Sequence, residues 1–163
     1  MTNYPSPPTG ELAGQVHRYA LRVFYEDTDA GGVVYHANYL RWFERARSDI
    51  LELLGIDQRA ALESGGGLYT VSEVTIRYLA PARLGDAIWI ETTAESVGRA
   101  SCVMRQKAWC GDQQLTEARV RLGFIGPDGR PRRQPEAWQQ AFTAMVSSQA
   151  SISGSGPIPS AER

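Results

Sequence analysis

YEDTDAGGVVYHANYLRWFERARSDILELLG, residues 25–55, changes texture twice. It enters as the end of an alternating apolar run. It then passes through Glu26, Asp27 and Asp29 and the paired Gly31 and Gly32, and continues with apolar residues at helical spacing. Tyr39, Leu40, Trp42, Phe43, Ala46, Ile50, Leu51, Leu53 and Leu54 recur close to every 3.6 residues, which predicts a long helix with one apolar face. Asn38 is the expected N-cap and Gly55 the expected C′ stop. Arg41, Glu44, Arg45, Asp49 and Glu52 fall on the other face, at spacings that suit solvated ion pairs.

Upstream, residues 17–25 alternate, with Tyr19, Leu21, Val23 and Tyr25 in period two, and read as a strand. Downstream, residues 58–64 form a short helical segment that ends at Gly65, Gly66 and Gly67. Four strand-like runs follow, 68–79, 87–97, 100–110 and 114–125, separated by turn signals at 81–86, 98–99, 111–112 and 126–129. The short breaks imply antiparallel hairpins, and residues 138–145 add a short terminal helix. Strand, long helix, then four strands is an α+β arrangement: a five-stranded antiparallel sheet wrapped around one central helix. No second helix covers the outer sheet face, so a second copy of the chain is expected to do so.

With 163 residues the chain reads as one domain over 15–146. Residues 1–14 and 147–163 are rich in Pro, Gly, Ser and Thr, and are expected to be a flexible N-terminal arm and a disordered C-terminal tail. A net charge of −1 leaves no electrostatic footprint for nucleic acid. Lys107 is the only lysine, so any phosphate contact must fall mostly on arginine, whose fork binds phosphate oxygens bidentately. Cys102 and Cys110 belong to no C-x-x-C pair and read as free thiols. His17 and His36 gather no ligand cluster, so no metal is expected. No apolar run reaches the length of a membrane span and the N-terminus has no apolar leader region, which makes the expected location the cytoplasm.

The chemistry-bearing part is again 25–55. A helix N-terminus following a glycine loop offers unpaired N–H groups and a positive dipole end. Those donors can polarise a carbonyl and stabilise an oxyanion, and a nearby carboxylate can attack or activate water. The combination suits acyl transfer to water. Physics alone does not choose between Glu26, Asp27 and Asp29.

Asp27, Asp29, Gly31, Val33, Asn38 and Tyr39 together resemble the signature of the 4-hydroxybenzoyl-CoA thioesterase family. The fuller stretch YEDTDAGGVVYHANYLRWFERAR is similar to the YbgC-type acyl-CoA thioesterases, which are often encoded beside the Tol–Pal envelope system. Residues 77–82, RYLAPA, and 84–86, LGD, continue the likeness, which covers roughly 17–140. The resemblance implies a hotdog fold and hydrolysis of acyl-CoA to a free acid and coenzyme A. By it, Asp29 is the catalytic carboxylate and the helix start at Tyr35, His36 and Ala37 polarises the carbonyl. Tyr25 and His36 line the site, and Arg99 and Ser101 contact the nucleotide. Arg130, Arg132 and Arg133 read as solvated charge. The implied assembly is a homodimer or homotetramer with the site between subunits; no cofactor is implied, coenzyme A being part of the substrate, and acyl carrier protein is a further candidate partner. Two alternatives stand beside this reading: a hotdog dehydratase, whose His-plus-acid layout the Asp29 pattern does not resemble, and a non-catalytic acyl-thioester binder or envelope-complex protein.

Overall fold

The computed structural model describes residues 5–146; the tail expected at 147–163 lies outside them. Six strands form one antiparallel sheet: β1 (Glu11–Ala13), β2 (Val16–Arg22), β3 (Leu68–Tyr78), β4 (Ala87–Val97), β5 (Ser101–Cys110) and β6 (Gln113–Ile125). Their spatial order is β1-β2-β4-β5-β6-β3, so β3 is an edge strand paired only with β6. Three helices, α1 (His36–Leu53), α2 (Gln58–Glu63) and α3 (Glu136–Thr143), accompany the sheet among the described residues. The α+β hotdog arrangement expected from the sequence is present, with β1 as a short sixth strand.

Helix α1 has 18 residues and is therefore about 27 Å long. It buries Tyr39, Trp42, Phe43, Ala46, Ile50 and Leu51 against the sheet. The sheet answers with every second residue of β4 (Ile88, Ile90, Thr92 and Ala94) and with Met104, Ala108, Ala118 and Val120 from β5 and β6. At its C-terminal end, Gly55 takes φ +70, and the Ile56 N–H donates to the Leu51 carbonyl at 2.8 Å, the stop expected there.

A charged group also lies within the buried face of α1. Arg47 is buried, ion-pairs with Glu44, and donates Nη1 to Gln106 Oε1 at 2.7 Å. Gln106 Nε2 donates in turn to the Phe43 carbonyl and to Thr92 Oγ1, both at 3.0 Å. This network ties α1 to β4 and β5 in one register, and it works because each buried donor finds an acceptor.

The sequence reading placed residues 1–14 in a flexible arm. Instead, Glu11–Ala13 pairs with Val16–Arg18 as β1. Thr9 Oγ1 and the Gly10 N–H both donate to the Asp49 carboxylate at 2.9 Å, and His17 Nε2 lies 2.6 Å from the same group. A Cβ on Gly10 would sit 2.5 Å from the Arg18 carbonyl and 2.6 Å from His17 Nε2, so only glycine fits. Low apolar content hid this docking, which polar and backbone groups make.

The outer sheet face is polar and charged. Arg18, Glu91, Lys107, Glu117 and Arg77 occupy paired positions across five strands and alternate in sign. Beside them Trp89 and Trp109 stack with ring centres 5.3 Å apart, with the Arg18 guanidinium 5.8 Å from the Trp89 ring. Such a face is compatible with water and needs no covering helix. Exposed apolar residues include Val71 and Val74 on edge strand β3. No described helix is long and apolar enough to cross a membrane.

Removing residues 1–14 is expected to lower Tm by about 5–10 °C, because it deletes two hydrogen bonds to a carboxylate and a strand. Gly10→Ala should lower it in the same direction. Melting curves of the truncated and full-length chains check this, and equal Tm values would return the segment to a loose arm.

Candidate active site

Strand β2 ends at Arg22, and Val23 continues only as far as donating to the Asp86 carbonyl at 2.9 Å. A 3₁₀ turn over Tyr25–Asp27 follows, so Tyr25 does not end a strand. Within this turn Asp27 does structural work. Its Oδ2 accepts the Phe24 N–H at 2.8 Å, and its carbonyl accepts both the Tyr35 N–H at 2.9 Å and Asn38 Nδ2 at 2.8 Å. Asn38 therefore bonds across the loop rather than capping the helix, which starts two residues earlier, at His36.

Residues 28–34 fold as a tight hairpin closed by the Thr28–Val34 bridge. The Asp29 N–H donates to the Val33 carbonyl at 2.9 Å, and the Gly32 N–H donates to the Asp29 carbonyl at 3.0 Å, with Gly32 at φ +75. The Gly31 N–H donates to Asp29 Oδ1 at 2.8 Å. This Asx-type bond fixes the carboxylate while Oδ2 keeps no protein partner among the described residues. The Val34 N–H anchors the hairpin to the Ala82 carbonyl at 2.9 Å.

No side chain caps α1. The His36 and Ala37 N–H groups find no backbone acceptor, which leaves two donors and the positive dipole end at the helix start. Asp29, Val34, His36, Tyr39, Tyr78 and Pro81 are among the residues lining a cleft of about 360 Å³ at this point. Tyr78 Oη donates to the His36 carbonyl at 2.9 Å, and the Tyr78 ring meets the His36 ring edge-on at 6.1 Å. Burial holds the Tyr39 and Tyr78 phenols above their ordinary range, so both stay neutral donors and neither supplies a base. The bases in the cleft are then Asp29 and His36. Tyr78 was not among the candidates, although it lies in the RYLAPA stretch that carries part of the resemblance. No group of three or more His, Cys, Asp or Glu side chains among the described residues is placed to hold a metal ion.

The remaining candidates lie elsewhere. Tyr25 is 84% exposed and does not line the cleft of its own chain. Arg99 and Ser101 form the β4–β5 turn, closed by the Gly98 N–H donating to the Ser101 carbonyl at 2.7 Å. That turn is at the Val97 end of β4, whereas the Asp29 hairpin is anchored near the Ala87 end, and eleven strand residues span about 35 Å. A single chain does not bring them together. Arg132 is not free charge: Nη1 donates to the Gly65 and Gly66 carbonyls at 2.6 and 2.8 Å. Cys102 and Cys110 are both free, and burial pushes the Cys102 thiol up to about 12, which makes it an inert core residue.

Comparison with known proteins bears on this geometry. The model of the thioesterase superfamily matches residues 31–117, more than half of the chain. The chain belongs to the thioesterase superfamily. Within it, this YbgC-like hotdog thioesterase is 38% identical to an acyl-CoA thioesterase YbgC of Haemophilus influenzae, over 66% of this chain and 79% of that protein. It is also 38% identical to the acyl-CoA thioester hydrolase YbgC of Escherichia coli, over 74% of this chain and 90% of that one. The crystal structure of a probable thioesterase from Bartonella henselae superposes with a TM-score of 0.69 at 35% identity, covering 74% of this thioesterase and 99% of that chain.

The two aspartates should separate in a stability measurement. Asp27→Ala removes the acceptor of the Phe24 N–H and is expected to cost about 1 kcal/mol, a Tm fall of about 2–4 °C. Asp29→Asn keeps an oxygen for the Gly31 N–H and should melt within about 1 °C of the parent chain. Thermal unfolding of both variants reads this directly.

Proposed function

We propose that this thioesterase hydrolyses acyl-CoA, adding hydroxyl to the acyl carbon and a proton to the departing sulfur. The carrying observation is the pairing of a fixed, partner-free Asp29 Oδ2 with an uncapped helix N-terminus in one cleft. The His36 and Ala37 N–H groups draw charge onto the thioester oxygen as the carbonyl becomes tetrahedral. The Asp29 carboxylate either attacks the carbonyl carbon or takes the proton of the attacking water; both routes act through the same oxygen. His36, exposed at the cleft rim between the Tyr35 and Tyr78 rings, orders that water or the substrate. The YbgC relatives and the family membership support this substrate class.

The site is completed by a second copy. Edge strand β3 is long, exposes Val71 and Val74, and is unpaired on one side among the described residues, a template for another strand. Antiparallel pairing of two β3 strands about a two-fold axis sets the Tyr78 end of one against the Leu68 end of the other. That end carries the β4–β5 turn, since Leu68 pairs with Ile125 and Ser101 with Gly123. Arg99 and Ser101 of the second copy then reach the same side as Asp29 of the first, which supports their role at the coenzyme A phosphates. The second copy's cavity of about 220 Å³, bounded by Glu44, Ser48, Val71 and Leu122, becomes a wall for the acyl group.

Asp29→Asn is expected to cut kcat by about 10²–10⁴ while the fold persists. Steady-state hydrolysis of an acyl-CoA panel, followed by free thiol release, tests it, and wild-type turnover in the variant would sink the mechanism. Replacing Val71 and Val74 together by Lys is expected to yield a monomer without turnover. Sedimentation and activity are measured on one sample, and an active monomer would refute the shared site.

A further inference from the structure

Gln134 is only 2% exposed, yet it lies in the irregular segment between β6 and α3, and every polar atom of its side chain is used. Its Nε2 donates to the Gly98 carbonyl at 2.6 Å and to the Ser101 carbonyl at 3.3 Å. Its backbone N–H donates to the Arg99 carbonyl at 2.9 Å. One residue thus holds three carbonyls of the four-residue β4–β5 turn from inside, leaving the Arg99 side chain in solvent.

The amide can present Nε2 to the turn only because Oε1 is engaged on its other side. Tyr69 Oη donates to it at 2.6 Å. Tyr69 is itself set by aromatic packing on Phe124 and Phe142, with ring centres 5.1 and 5.5 Å away. Burial holds its phenol well above the ordinary tyrosine range, so it remains a donor at any working pH. The order runs from a rigid aromatic cluster to a phenol, to an amide, to the backbone of the turn.

We propose that Gln134, oriented by Tyr69, is a positioning residue for the nucleotide half of the substrate, setting the backbone from which Arg99 and Ser101 meet the coenzyme A phosphates. This rests on the reading of that turn as the phosphate contact. A surface hairpin of ordinary turn residues closes with its own backbone bond, as Gly98 and Ser101 do here. Three further bonds from Gln134, two from its buried side-chain amide to the carbonyls flanking Arg99 and one from its backbone N–H, are beyond what closure requires.

The test uses Gln134→Glu, which keeps shape but turns a second acceptor toward the carbonyls, and Tyr69→Phe, which keeps the ring and removes only the orienting hydroxyl. Each is assayed on one acyl group carried by coenzyme A and by N-acetylcysteamine, which lacks the nucleotide. Losing the orienting bonds is expected to raise KM for the coenzyme A thioester by about tenfold, with kcat within about twofold and kcat/KM on the short thioester unchanged. A Tyr69→Phe enzyme with altered Tm and equal losses on both thioesters would mark a merely structural contact and overturn the proposal. So would an unchanged KM in both variants while Arg99→Ala raises it. If Arg99→Ala also leaves KM for the coenzyme A thioester unchanged, the turn does not bind phosphate, and the reading beneath the proposal falls with it.

Discussion

Two donors converge on the carbonyl oxygen of Asp27, the Tyr35 N–H and Asn38 Nδ2, and the site depends on that convergence. The first fixes how far the chain may travel between leaving β2 and entering α1. The second fixes the rotation of α1 relative to the loop, because Asn38 is one turn into the helix. With both ends held, residues 28–34 have only enough chain for a closed hairpin, and Asp29 is carried on its shoulder. The helix start is open because the residue at its N-cap position, Tyr35, makes no side-chain cap bond. An unsatisfied helix end normally costs stability. Here the exposed N–H groups face a cleft and stay available to a substrate carbonyl.

The apolar spacing of α1, the paired glycines and the turn signals made the main architecture legible before any coordinates: one long helix, antiparallel hairpins and, for β3 to β6, strand limits within one residue. The misread features share a cause. Asn38 as an N-cap, residues 9–13 as a loose arm and Tyr25 as a strand end were all judged by local preference. Each is decided by a distant partner: Asp27 for Asn38, Asp49 and β2 for the arm, and Asp86, which ends the pairing at Val23, for Tyr25. The choice of Asp29 over Asp27 came from family likeness. In the structure each carboxylate accepts one backbone N–H, and the two differ in place: Asp29 lines the cleft at the helix start and Asp27 does not. Gln134 carried no signal at all in sequence, being a single amide in an arginine-rich connection.

Charge and apolarity are distributed on the sheet in a way that assigns its surfaces different tasks. The outer face spends its apolar content on one stacked tryptophan pair and otherwise alternates sign across the strands, so it gains little from being covered. The edge at β3 does the opposite, presenting valines beside unpaired backbone groups. Such an edge is hazardous in a monomer and useful in a symmetric pair. The separation of Asp29 from Arg99 by the length of β4 has the same meaning. In the proposed pair each chain would hold half of two sites.

The position of β3 in the sheet also bears on how the molecule comes into being. β3 is the third strand in chain order, but among the described strands its only neighbour is β6, the last. During synthesis residues 68–78 emerge well before residues 113–125, and in that interval this strand has neither edge satisfied. Non-local pairing of this kind is slow, because loop closure precedes any reward from contact. Nascent chains on neighbouring ribosomes would meet through that strand before either has closed its own sheet, so crowding of translation is a hazard written into the connectivity.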